Sequence, residues 1–142
     1  MKARKVYEFK RGQDVKASLG VGKKIQIEKW FETFAPNVEY IIKTDLSVRV
    51  GGDLDLSDTS ITHLPDGLHV VGGDLDLNDT SITHLPDRLY VGGSLDLQGT
   101  PIKHLPDRLY VGRILYLENS GLQYMSDEEI RSRAEIKGGI KR

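Results

Sequence analysis

Three aspartates recur at matching positions, each between two leucines: Leu54-Asp55-Leu56, Leu75-Asp76-Leu77 and Leu95-Asp96-Leu97. Alternation of this kind makes a short strand with the leucines turned inward and the carboxylate outward. Stacked at about 4.8 Å per strand, the three carboxylates form one column, and Asp53 and Asp74 begin a second. Carboxylates directly opposite one another in a sheet repel. Such a face attracts cations, whether the arginines and lysines of a partner protein or a metal ion. Tyr116 and Glu118 continue the face where a fourth triplet, Leu115-Tyr116-Leu117, follows. The same aspartates also solubilise a sheet and discourage its aggregation, and that plainer reading stands beside the binding one.

Other residue types point to other chemistries. His63, His84 and His104 form a column beside the inward leucine of each repeat. Imidazoles titrate near neutrality and ligate zinc, but a tetrahedral site needs ligands that converge, and a one-sided ladder offers one donor per strand. Calcium takes about six to eight converging oxygens, and Leu54 and Leu75 stand where the glycine-rich calcium-binding repeat requires glycine. No metal ligand and no cofactor are therefore assigned, and a calcium or zinc module is kept as an alternative. Paired carboxylates hydrolyse glycosides when two unlike environments flank a cleft. Repeats give like environments, so no catalytic residue is assigned and the chain reads as a non-enzyme. Tyr90 and Tyr110, with Arg88 and Arg108 close by, have the composition of interface anchors. With His69 and Arg49 they make a rival binding face, unless the arginines simply pair with Asp87 and Asp107. Leu19-Gly20-Val21-Gly22-Lys23-Lys24 invites a phosphate-loop reading and fails it, because Ala17 replaces the first glycine and Lys24 the hydroxyl residue. It reads as a glycine turn into a helix.

The elements that position these side chains follow from the spacing. The paired leucines recur at intervals of 21, 20 and 20 residues, with Thr59, Thr80, Thr100 and Ser120 three positions further on. A period of this length is a solenoid whose turns are too small to bury their own apolar faces and supply a core for one another. Ile61, Leu64, Leu68 and Val71 complete the inward set of the first turn. Leu75, Leu77, Ile82, Leu85, Leu89 and Val91 repeat it, as do Leu95, Leu97, Ile102, Leu105, Leu109 and Val111. Pro65, Pro86 and Pro106 suit extended corners. The Gly-Gly pairs at 51/52, 72/73 and 92/93 suit a tight return before each strand, and the threonine hydroxyls suit the bend after it.

The blocks LDLSDTSITHLP, LDLNDTSITHLP and LDLQGTPIKHLP resemble the leucine-rich-repeat core LxLxxNxLxxL, with threonine in the usual asparagine position. Turn length and the Leu-Pro pair look most like the short repeats of bacterial and bacteriophage proteins. The resemblance spans residues 51–126 and implies an α/β fold: a parallel β solenoid of three to four turns with a binding surface on its sheet. The segments LHVV, RLYV and RLYV behind that sheet are candidates for a second one. The opening VYEFKRGQDVKASLGVGKKIQIEKWF is similar to the head of phage-encoded repeat proteins.

The ends read as caps, giving an α+β N-terminal cap over 1–46, the solenoid over 47–126, and a capping helix with tail over 127–142, all one unit. Lys23 to Ala35 predicts a helix whose Ile27, Trp30, Phe31 and Phe34 share one face and cover the first turn. VEYII and LSVRV flank Lys43-Thr44-Asp45 as a hairpin. Ser126-Asp127-Glu128-Glu129 is a capping box that opens a helix, with Gly138-Gly139 as its stop. Lys137, Lys141 and Arg142 read as a solvated tail.

Charge is uneven along the chain. Residues 1–50 carry 11 basic and 6 acidic side chains, residues 51–126 carry 4 and 11, and the last sixteen carry 5 and 4. An acidic array behind a basic head disfavours nucleic acid, since the array repels phosphate. With no cysteine, no signal-like segment and no long apolar run, a cytoplasmic protein away from the membrane is expected. The residues together predict a protein-binding module whose acidic face meets a basic partner surface. Self-association of a structural protein is the rival.

Overall fold

The computed structural model describes residues 4–7 and 14–142, with side chains from Gly20 onward. Each Leu-x-Leu triplet opens with a two-residue strand: β4 (Leu54–Asp55), β6 (Leu75–Asp76), β8 (Leu95–Asp96) and β10 (Leu115–Tyr116). They pair in parallel and in register, and β12 (Ile140–Lys141) extends them into a front sheet ordered β12-β10-β8-β6-β4. The candidate second sheet exists. It contains β3 (Val48–Val50), β5 (Leu68–Val71), β7 (Tyr90–Val91), β9 (Leu109–Val111) and β11 (Ala134–Ile136). With β1 (Arg4–Tyr7) and β2 (Glu39–Ile42) it makes a seven-stranded back sheet ordered β1-β2-β3-β5-β7-β9-β11. The molecule is thus a parallel β solenoid of about three regular turns, closed at each end by mixed helical and strand structure.

Between the sheets the inward residues stack in ladders. Leu54, Leu75, Leu95 and Leu115 are fully buried, as are Leu56, Leu77, Leu97 and Leu117. At roughly 1.5–3 kcal/mol for each fully buried leucine, isoleucine or valine, these ladders dominate the stability. The bend after each front strand is closed by Thr59, Thr80 and Thr100, whose hydroxyls donate to the carbonyls of Leu56, Leu77 and Leu97 at 2.6–2.8 Å. The residue before each threonine takes a positive φ, at Asp58, Asp79 and Gly99.

The glycine pairs do more than turn. A Cβ on Gly72 would lie 2.3 Å from the carbonyl oxygen of Gly51, and one on Gly92 would lie 2.2 Å from that of Gly72. Successive corners therefore touch backbone to backbone. Gly51 and Gly52 have open space among the described residues instead, because no turn precedes them.

The head forms the predicted hairpin, with β2 antiparallel to β3. Helix α1 runs over Asp14–Phe34, longer than predicted. Gly20 and Gly22 lie inside it, so the predicted glycine turn does not occur. Gly20 faces Leu46, where an added Cβ would sit in contact at 3.4 Å, and such packing outweighs the ~1 kcal/mol that glycine costs a helix. Ile27, Trp30 and Phe31 are buried, and Phe31 stacks on Tyr40 at 3.9 Å between ring centroids.

At the other end the N-cap half of the predicted capping box forms. Ser126 caps α2 (Asp127–Arg133), its hydroxyl accepting from the Glu129 N–H at 3.1 Å. The rest departs from the prediction, because no solvated tail follows. The chain returns through β11 and β12, and Gly138-Gly139 forms the corner between them rather than a helix stop. Arg142 donates to the carbonyls of Gln123 and Met125 and pairs with Asp127. The apolar residues Ala134, Ile136 and Ile140 complete the last turn, an energetic gain that a free tail would forgo. Among the described residues, no helix is long and apolar enough to cross a membrane.

Candidate binding faces of the solenoid

The parallel register places Asp55, Asp76, Asp96, Tyr116 and Lys141 in one row across the front sheet. The predicted carboxylate column is therefore present. Each aspartate also does local work. One oxygen of Asp55 accepts the Ser57 N–H at 3.0 Å, that of Asp76 the Asn78 N–H at 2.9 Å, and that of Asp96 the Gln98 N–H at 2.9 Å. These bonds fasten the bend that the threonines close. Asp53 and Asp74 reach between turns instead, accepting the N–H groups of Asp74 at 2.8 Å and Ser94 at 2.7 Å. In the next turn the Ser94 hydroxyl accepts the Ile114 N–H at 3.2 Å.

Burial pushes the carboxyls of Asp76 and Asp96 above the ordinary 3.8. The bonds from Asn78 and Gln98 oppose that shift, and neighbouring carboxylates add to it: Asp55, Asp58 and Asp74 around Asp76, and Asp76 and Asp79 around Asp96. No arginine or lysine lies within 4.0 Å of the five column carboxylates among the described residues. Arg113 lines a groove of about 250 Å³ with Asp74, Asp76, Asp96 and Tyr116. Lys141 stands over the Tyr116 ring at 5.9 Å from its centroid. The face thus runs from acidic at β4 to basic at β12. Sequence reasoning missed Arg113 and Lys141. The signal was there, since Ala134-Glu135-Ile136 and Ile140-Lys141 repeat the apolar alternation of Leu109-Tyr110-Val111 and Leu115-Tyr116. Glu118 lies beyond the last front-strand pair and is exposed.

On the back sheet the row is Arg49, Val70, Tyr90, Tyr110 and Glu135. His69 does not belong to it. The register shifts between Val48 and Arg49, and the extra residue of the 21-residue first turn is absorbed there, which puts Val70 opposite Tyr90. Tyr90 and Tyr110 stack with ring centroids 4.6 Å apart and planes 1° from parallel. Arg88 and Arg108 make no ion pair with Asp87 or Asp107 among the described residues. Both take positive φ, at 61° and 58°, where the first turn has Gly67. Asp87 instead accepts the Asp107 N–H at 3.1 Å.

His63, His84 and His104 are exposed, and the rings of His63 and His84 lie at 3.2 and 3.3 Å from the hydroxyls of Thr62 and Thr83. Among the described residues no three His, Asp or Glu side chains converge on a point that could hold a metal ion. In the head, Lys24 is buried rather than presented to solvent, while Lys23 is exposed; the other basic side chains up to Lys16 lie outside the described ones. Compared with known proteins, the chain matches no family model, no curated protein and no solved structure.

Proposed function

We propose that this chain is a non-enzymatic protein–protein interaction module of the short leucine-rich-repeat kind found in bacteria and bacteriophages, binding a basic partner surface through its acidic front face. The observation that carries this reading is the in-register column of Asp55, Asp76 and Asp96 with Asp53 and Asp74 beside it. Each carboxylate spends one oxygen on the backbone and has no cation within ion-pair distance among the described residues. A partner's lysines and arginines supply what the fold omits. Such charge complementarity acts mainly on association rate and orientation. Tyr116 at the edge of the groove provides an aromatic anchor, and a host protein inhibited by occupation of its basic surface fits this chemistry.

The test compares wild type with Asp55→Asn/Asp76→Asn/Asp96→Asn. Asparagine keeps the oxygen that accepts each backbone N–H, so the variant folds while the charge is gone. Both proteins are immobilised in bacterial lysate, retained proteins are identified, and binding of the purified partner is measured against salt. A basic protein held by wild type, released by salt and lost from the variant supports the proposal. Equal retention by both refutes it.

A further inference from the structure

Beyond the acidic face, and independently of it, we propose that the seam between helix α1 and the first turn of the solenoid binds a small organic cation with an apolar body, such as an arylalkylammonium. The seam holds a pocket of about 310 Å³, at the lower end of the ~300–1,000 Å³ that small-ligand sites occupy. Ile27 and Trp30 of α1, Leu46 of the β2–β3 hairpin and Pro65 of the first turn give its apolar walls. Lys23, Asp45 and Asp66 bring charge, and Gln26, His63 and His69 bring further polar atoms. With histidine counted as neutral, two carboxylates face one ammonium, an excess of one negative charge.

Backbone fixes the shape of this pocket. Leu46 takes a positive φ of 68°, a region that bulky residues rarely enter, and its carbonyl oxygen lies 2.6 Å from where a Cβ on Gly67 would stand. Gly67 has a φ of 85°, and its carbonyl accepts the Val48 N–H at 2.8 Å. Hairpin and first corner interlock, so a ligand meets walls already in place. Later turns carry Arg88 and Arg108 at the position of Gly67, so the pocket belongs to the seam and is not a product of the repeat.

Charge selects the ligand. One oxygen of Asp45 accepts the Ser47 hydroxyl at 2.6 Å and the Ser47 N–H at 2.9 Å. These bonds, helped by Lys43 outside the pocket, lower the Asp45 carboxyl and keep it ionised. Among the described residues no basic side chain, Lys23 included, lies within 4.0 Å of Asp45 or Asp66. An anion meets both carboxylates unfavourably, and a neutral apolar molecule leaves them facing water. An ammonium or guanidinium group engages them through charge-assisted hydrogen bonds while its apolar body covers Ile27 and Trp30.

Trp30 is the chain's single tryptophan, so its fluorescence and its indole N–H resonance report on this pocket. Phenethylammonium chloride titrated into the full chain at pH 7 shifts both saturably, with a Kd of ~1 mM or below. Phenethyl alcohol and hydrocinnamate, which keep the body and change the charge, bind at least about tenfold more weakly. Asp45→Asn/Asp66→Asn loses about the same factor for the ammonium and keeps its affinity for the alcohol, which shows the pocket intact. Lys23→Gln binds the ammonium about threefold more tightly, because a competing charge is gone. N-acetylarginine amide, run beside phenethylammonium, separates a free amine from the basic side chain of a protein, and the tighter of the two names the source. No saturable shift by ~10 mM phenethylammonium overturns the proposal. So does equal binding of the three phenethyl probes, or a double asparagine variant that holds the ammonium like wild type. The triple asparagine variant of the front face binds the ammonium as wild type does, so the two sites fail or succeed separately.

Discussion

At the scale of single residues, the aspartates carry two duties that pull against each other. Asp76 and Asp96 fasten the bends after their strands, yet burial and stacked neighbours raise their carboxyls above 3.8. A carboxyl whose folded value is raised favours folding only while protonated. That contribution is full below the unfolded value and is lost as pH rises through the folded one. Asp96→Asn and Asp76→Asn keep the accepting oxygen and remove the repulsion, so each should be more stable than wild type at pH 7 by about 0.2–1 kcal/mol. The advantage should shrink as pH falls towards 3.8. Urea unfolding at pH 7, 5 and 4 checks this, and a variant less stable than wild type at pH 7 would show that the charge itself is needed. Asp45 works the other way, since hydrogen bonds from the Ser47 hydroxyl and N–H lower its carboxyl. The outward aspartate column was legible in the sequence because strand alternation dictates it. Its local hydrogen bonds were not, because Ser57, Asn78 and Gln98 share no residue type and their backbone N–H groups are what bind.

At the scale of elements, sequence spacing located strands and bends well and assigned the glycines only half of their reason. The pairs were legible as corners. What spacing could not show is that one corner's carbonyl occupies the place of the next corner's missing side chain. Gly72→Ala and Gly92→Ala drive a Cβ to 2.3 and 2.2 Å from backbone oxygen, and backbone cannot swing aside. Each should cost about 3 kcal/mol or more. Among the described residues Gly51→Ala meets nothing within 4 Å and should change stability by less than ~0.5 kcal/mol. Denaturant midpoints of the three variants test the difference, and equal losses would mean that the corners need glycine for conformation rather than contact. Helix α1 shows the opposite failure. Two glycines argued for a turn from local propensity, but packing on Leu46 and the aromatic cluster of Trp30, Phe31 and Tyr40 decided the outcome.

At the scale of the whole molecule, the ends differ from the middle in how they meet water. Interior turns are alike and stabilise one another, while each end must cover a sheet cross-section that has no further turn. The C-terminal closure hid from sequence reading because α2 interrupts the repeat, and the last strands carry Ala, Ile and Lys where leucines stand elsewhere. A chain ending at Arg133 loses β11 and β12 and uncovers Leu109, Val111 and Leu115. It should lose at least about 4 kcal/mol or aggregate, as solubility and thermal melting of the shortened protein would show. Melting unchanged by the deletion would return residues 134–142 to the status of a tail. The fit of one corner's glycine to the carbonyl of the corner before it makes the interior turns interchangeable. Because GGDLDLSDTSITHLPD and GGDLDLNDTSITHLPD differ at one residue, a chain given one more such repeat between them should meet glycine corners that already fit, with neither cap redesigned.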